Sequence, residues 1–172
     1  IPTLAHRGGQ DIIDRIALQV NQIQKEYDHI EGIGIGTAGQ VKHGKIISAT
    51  SSFKDWININ LAQEMQTRCN LDCKVINDVQ SMLLGEQKFS NAGHNVLAVA
   101  IGTGVGGAII LDGKLIQGES QSDGEIGHMI LYPQGRKCPC GNSGCLEAYL
   151  AGPAIEKRYF EISKEKLSAK EI

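Results

Sequence analysis

The order of apolar and polar positions divides the chain into short, alternating elements. Over residues 11 to about 27, Ile12, Ile13, Ile16, Val20 and Ile23 recur at helical spacing with polar residues between them, which predicts an amphipathic helix. Gly32-Ile33-Gly34-Ile35-Gly36 reads as a short apolar strand with room for close backbone approach. Residues 41–48 predict a hairpin closed near His43-Gly44. A helix over 61–69 leads to the short strand Cys73-Lys74-Val75-Ile76, which ends at Asn77-Asp78. Either of those two residues can cap a helix running to about Lys88.

After a loop at 90–95, Val96-Leu97-Ala98-Val99-Ala100-Ile101 has the pattern of a buried strand. Gly102-Thr103-Gly104-Val105-Gly106-Gly107 follows, then a second strand over 108–111 and an Asp112-Gly113 turn into Lys114-Leu115-Ile116. Residues 117–145 are loop-rich. A helix resumes at Leu146, and Pro153 suits the first turn of another. Strands that precede helices in alternation predict an α/β fold. The expected division is 1–92 and 93–172.

Composition narrows the setting. The 172 residues carry a formal net charge of −2, which gives no general attraction to nucleic acid or an anionic membrane. No apolar run reaches the length of a membrane span. The five cysteines are an odd number, and no secretory signal begins the sequence. A reducing, cytoplasmic setting is the expectation, with thiolates free to bind metal.

Four motifs carry chemistry. The sharpest is His128 followed by Cys138-Pro139-Cys140-Gly141-Asn142-Ser143-Gly144-Cys145. Zinc favours thiolate and imidazole in tetrahedral geometry, and a closed four-ligand site is structural. His128, Cys138, Cys140 and Cys145 are therefore the expected ligands; the plainer alternative is free thiols in a surface loop. The second motif is the glycine run at 102–107. A strand follows it, so it is no dinucleotide fingerprint, and no Lys-Ser or Lys-Thr ends it, so it is no P-loop. It can still turn backbone N–H groups toward phosphate, or be only a tight hairpin. The third is Asn77-Asp78 at a strand end, where α/β sheets place ligands. Asp78 can take a proton from an attacking hydroxyl and Asn77 can hold a neighbouring one; a plain helix cap is the alternative. The fourth is Glu125 and Glu147, each within a few residues of a metal ligand. They read as preorganised acceptors or as solvated surface charges.

Taken in this order, the motifs resemble the ROK family of sugar kinases and related repressors. Gly124-Glu125-Ile126-Gly127-His128 with the cysteine segment through Leu146-Glu147 is similar to the family's zinc signature. The resemblance implies the actin-like, ribonuclease-H-like ATPase fold with two lobes, and a chain that is the middle of a family member. The family's first phosphate motif and its adenosine-binding segment are both missing. It implies transfer of the ATP γ-phosphoryl to a sugar hydroxyl with Mg²⁺, Asp78 being the base. Gly39, Asn77, Asp78, Glu125, His128 and Glu147 would bind the sugar. Gly102, Thr103, Gly104, Gly106 and Gly107 would bind the nucleotide. Zinc would order the sugar-binding loop and perform no chemistry. Gln80, in Asn77-Asp78-Val79-Gln80, is similar to bacterial N-acetylmannosamine kinases, with glucose the next candidate. A homodimer is expected, with no membrane or nucleic-acid partner. The rival reading is a sugar-responsive repressor of the same family; the intact Asn77-Asp78 pair and Gly102-Thr103-Gly104 favour the kinase.

Overall fold

The computed structural model describes residues 1–49, 52–90 and 92–172. The chain forms two compact units, Ile1–Met82 and Leu83–Ile172.

In the first unit, α1 (Gly9–Glu26) turns Ile12, Ile13 and Ala17 into the core. Ile16 and Val20 pack at its margin. Ile23, expected on the same stripe, is 46% exposed, because the buried face of α1 is spent before its last turn. Strand β1 (Ile33–Thr37) pairs in parallel with β4 (Cys73–Asn77), with Thr37 opposite Asn77. Between them lie the hairpin of β2 (Gln40–Lys42) and β3 (Lys45–Ser48) and the helix α2 (Leu61–Cys69). His43 and Gly44 both have positive φ, 50° and 77°, as a two-residue hairpin turn requires. The Asn60 side chain accepts the Gln63 N–H at 3.2 Å and caps α2. Leu61, Met65 and Cys69, spaced four apart, are buried and meet Ile13, Ile46, Trp56 and Val75 in one core.

Helix α3 (Asp78–Phe89) starts directly at the end of β4, and the division between the units falls inside it. In the second unit, β5 (Val96–Ile101), β6 (Val105–Leu111) and β7 (Lys114–Leu115) form an antiparallel sheet in that order. Strand β6 begins three residues before the predicted Ala108. Val105, Gly106 and Gly107 pair with Ile101, Ala100 and Val99, so the turn itself is only Gly102-Thr103-Gly104. Glycine is tolerated in this strand because another backbone approaches it: a Cβ on Gly107 would lie 2.7 Å from the Gly124 carbonyl. The expected burial of β5 is corrected as well. Its residues alternate, and Leu97, Val99 and Ile101 face outward, each about half exposed.

Beyond β7 the chain makes one short 3₁₀ turn, Ile126–His128, then α4 (Glu147–Leu150) and α5 (Gly152–Ser163), with Pro153 in the first turn of α5. Among the described residues no helix is long and apolar enough to cross a membrane.

Candidate functional site

The cysteine loop is folded by its own backbone. Gly141 N–H donates to the Cys138 carbonyl, and Cys138 N–H to the Asn142 carbonyl, both at 3.0 Å. This pair of bonds makes a tight knuckle that turns Cys138 and Cys140 to one point. Gly141 has φ of 97° and Gly144 of 83°, a region that glycine enters without strain. At Gly144 the space matters too, since a Cβ there would overlap the Tyr132 carbonyl. Cys145 bridges to Ile130, and Leu146 N–H donates to the Met129 carbonyl at 2.9 Å. The return of the chain thereby sets Cys145 beside the His128 turn.

The donor atoms of His128, Cys138, Cys140 and Cys145 all lie within 4.8 Å of one another. Cys140 Sγ and Cys145 Sγ are 3.7 Å apart, and Cys138 Sγ is 3.7 Å from His128 Nδ1. A tetrahedral zinc with bonds of about 2.3 Å to sulfur and 2.0 Å to nitrogen needs edges of about 3.8 and 3.5 Å. Donor types and spacings therefore fit zinc. His128 Nε2 faces Glu125 Oε2 at 3.8 Å, so the ring edge turned away from the sulfurs has a carboxylate beside it. Burial pushes the Cys138 thiol up to about 12 and raises Cys145. Cys140 is lowered, chiefly by a hydrogen bond from the Asn142 backbone.

Behind the knuckle stands a brace that no sequence motif announced. Tyr149 Oη accepts the Arg136 N–H at 2.9 Å, and the Arg136 guanidinium lies 5.1 Å from the centre of the Tyr149 ring. Tyr132 meets that ring edge-on at 5.2 Å. Arg136 also pairs with Glu161 of α5 at 3.2 Å. Tyr149 and Glu161 lie 13 and 25 positions from Arg136 along the chain and carry no common spacing pattern, so only folding reveals them.

Glu147, at the first position of α4, has one oxygen 3.8 Å from Cys138 Sγ. The other accepts the Val105 N–H at 2.9 Å. The cysteine loop and the glycine turn are thus in direct contact. A second bond joins the same parts, from Gly152 N–H to the Gly102 carbonyl at 2.8 Å. Gly102 and Thr103 are exposed and line a cleft of about 480 Å³ with Gly152, Pro153, Glu156 and Lys170. Gly106 and Gly107 belong to β6 rather than to the turn.

In the first unit, Thr37 and Asn77 end the two parallel strands side by side. Thr37 is buried and accepts the Trp56 indole N–H at 3.3 Å. Asn77 works in both directions. Its Oδ1 accepts the N–H groups of Val79 at 2.9 Å and Gln80 at 3.3 Å, and its Nδ2 donates to the Gly39 carbonyl at 3.1 Å. Gly39 has φ of 94°, and a Cβ there would overlap the Ser48 carbonyl. One Asn77 N–H remains outside these bonds, since an amide carries two donors. Asp78 is exposed, with Oδ1 2.9 Å from the Val79 N–H. The cap and the ligand-facing reading of this pair are therefore compatible: the Asn77 oxygen caps α3 while its nitrogen and the Asp78 carboxylate stay near the Gly39 loop and solvent.

Known proteins are similar to this chain in sequence and fold. The family model described as ROK family matches residues 3–172. The chain is 33% identical over 158 residues to a glucokinase of Thermotoga maritima, covering 90% of this chain and 50% of that one. It is 31% identical over 165 residues to an N-acetylmannosamine kinase of Vibrio cholerae, covering 95% and 58%. It is also similar to a xylose repressor of Bacillus subtilis, 33% identical over 164 residues, covering 94% and 42%. The ROK hexokinase of Thermus thermophilus superposes with a TM-score of 0.81 at 27% identity, over 99% of this chain and 58% of that one. A ROK glucokinase of Streptomyces griseus, solved with glucose and AMPPNP, gives 0.79 at 30% identity, over 95% and 54%. The chain thus spans about half the length of the curated relatives it matches. Its motifs, its actin-like α/β fold and these likenesses agree: the chain belongs to the ROK family.

Proposed function

We propose that the protein is an ATP-dependent sugar kinase acting on a hexose or N-acetylhexosamine, N-acetylmannosamine first and glucose next. The observation that carries this is the Asn77-Asp78 pair at the end of β4, beside Thr37 and Gly39, in a chain that also keeps its Gly102-Thr103-Gly104 turn. Phosphoryl transfer asks a protein mainly for positioning and charge stabilisation. Asp78, exposed at the start of α3, takes the proton of the sugar hydroxyl. The remaining Asn77 N–H, Gly39, Glu125, His128 and Glu147 hold the sugar. The 102–104 turn presents its backbone to phosphate, with Gly106 and Gly107 giving clearance behind it. Residues 1–92 and 93–172 contribute to the two lobes. Mg²⁺ arrives with the nucleotide and takes most of its ligands from phosphate and water. Zinc, held by His128, Cys138, Cys140 and Cys145, supplies rigidity only, since four protein ligands leave no open position. The protein acts in the cytoplasm as a homodimer.

The sugar preference rests on Gln80, which is buried in the first turn of α3. Identities to the glucokinase and the N-acetylmannosamine kinase are nearly equal. The repressor reading draws on the xylose repressor likeness. One experiment separates the readings: a coupled assay of the full-length protein with ATP against a panel of hexoses and N-acetylhexosamines. Turnover is expected, and Asp78→Asn should lower kcat by about a thousandfold with an unchanged circular-dichroism spectrum. No turnover with any sugar, together with sequence-specific DNA binding, would establish the repressor instead.

A further inference from the structure

We infer that Glu147 is a positioning residue for the phosphate-facing turn, so that the metal loop orders the nucleotide side of the site as well as the sugar side. The inference deepens the kinase reading and rests on it for its nucleotide arm. Three observations carry it. First, Val105 is buried and its N–H is satisfied by Glu147 Oε2 at 2.9 Å, across 42 residues of sequence. A buried N–H deprived of its acceptor loses a bond and keeps its desolvation cost. Second, the Glu147 carboxylate and the backbone around Val105 are closely packed. A Cβ on Gly104 would lie 2.7 Å from Glu147 Oε2, and one on Gly127, beside His128, would overlap the Val105 carbonyl. Third, Glu147 is fixed from the metal side. It follows Cys145 by two residues, and the turn that carries it is tied back to that cysteine by the Ala148 N–H, which donates to the Cys145 carbonyl at 3.0 Å.

A carboxylate has about four acceptor positions. Accepting the Val105 N–H leaves Glu147 free to accept from a sugar hydroxyl as well. Its two tasks separate by substitution. Glutamine retains an amide oxygen for Val105, whereas alanine has no acceptor.

The test uses the full-length, zinc-loaded protein and two readouts: hydrogen exchange of the 102–107 amides, and the Kd of Mg²⁺–AMPPNP measured without sugar. In Glu147→Ala, exchange at Val105 should quicken about tenfold and the nucleotide Kd rise about tenfold, with zinc content unchanged. Glu147→Gln should restore both toward wild type while the KM for sugar stays raised. A residue that bound sugar alone would move the sugar KM and leave these two readouts where they were. Unchanged exchange at 102–107 in Glu147→Ala overturns the inference. Should the alanine variant not fold, Glu147→Asp, one methylene short of Val105, replaces it with the same expected result. Failure of the wild-type protein to bind AMPPNP would count against the kinase reading, and the exchange result alone would then decide the role of Glu147.

Discussion

Asn77 offers the sharpest test of how this site is built, because one side chain serves helix, loop and ligand through different atoms. In Asn77→Ala the first turn of α3 loses the acceptor for the Val79 and Gln80 N–H groups, and the Gly39 carbonyl loses its donor. Loss of an N-cap costs about 1 kcal/mol, and loss of a neutral hydrogen bond about 1 kcal/mol more. Asp78 Oδ1 also lies 2.9 Å from the Val79 N–H and retains part of the cap. The net cost is therefore roughly 1.5 kcal/mol, or about tenfold in a local opening equilibrium. Hydrogen exchange of the full-length protein, read on peptides covering 79–84 and 36–40, reports it directly. Exchange should quicken about tenfold in both peptides. Asn77→Asp keeps the acceptor at a helix N-terminus, where negative charge is favoured, but gives up the donor to Gly39. It should leave the 79–84 peptide within about threefold of wild type and loosen 36–40 alone. Unchanged exchange at 79–84 in Asn77→Ala would refute the bridging role.

Two further outcomes follow from the proposed zinc loop. The thiols of Cys138 and Cys145 stand above their ordinary range and hold their protons at neutral pH, whereas zinc binds thiolate. Loading should release protons from at least these two, so affinity should climb with pH by about two decades per unit or more near neutrality. Calorimetry in buffers of different ionisation enthalpy checks this, and release of less than one proton would contradict the buried placement of these sulfurs. Gly144→Ala adds a Cβ against the Tyr132 carbonyl at a positive φ. It should cost about 1–3 kcal/mol and lower bound zinc per chain, read by metal analysis after dialysis; full zinc retention would count against the loop geometry.

Periodicity and turn chemistry, both local, suffice for much of the fold. Helix α2 lies over the 61–69 segment where the sequence places a helix, and the His43-Gly44 and Asp112-Gly113 turns have the positive φ values their residue types allow. The clustering of the three candidate metal-binding cysteines was legible for the same reason: three cysteines within eight residues must share a small volume however the loop is folded. What needed tertiary structure was every feature whose partners are distant along the chain. The start of β6 was one, since glycines carry no strand signal and pair only because β5 lies beside them. The face of β5 was another, because an apolar run does not reveal which side is covered. The Arg136–Tyr149 brace and the Glu147–Val105 bond were the others. By itself the sequence determined which chemistry is present: thiolates and imidazole for a metal, a carboxylate and an amide at a strand end, a glycine turn. Tertiary structure decided which atom of each side chain is spent on holding the fold and which is left for a ligand, because that division depends on neighbours brought together only by folding.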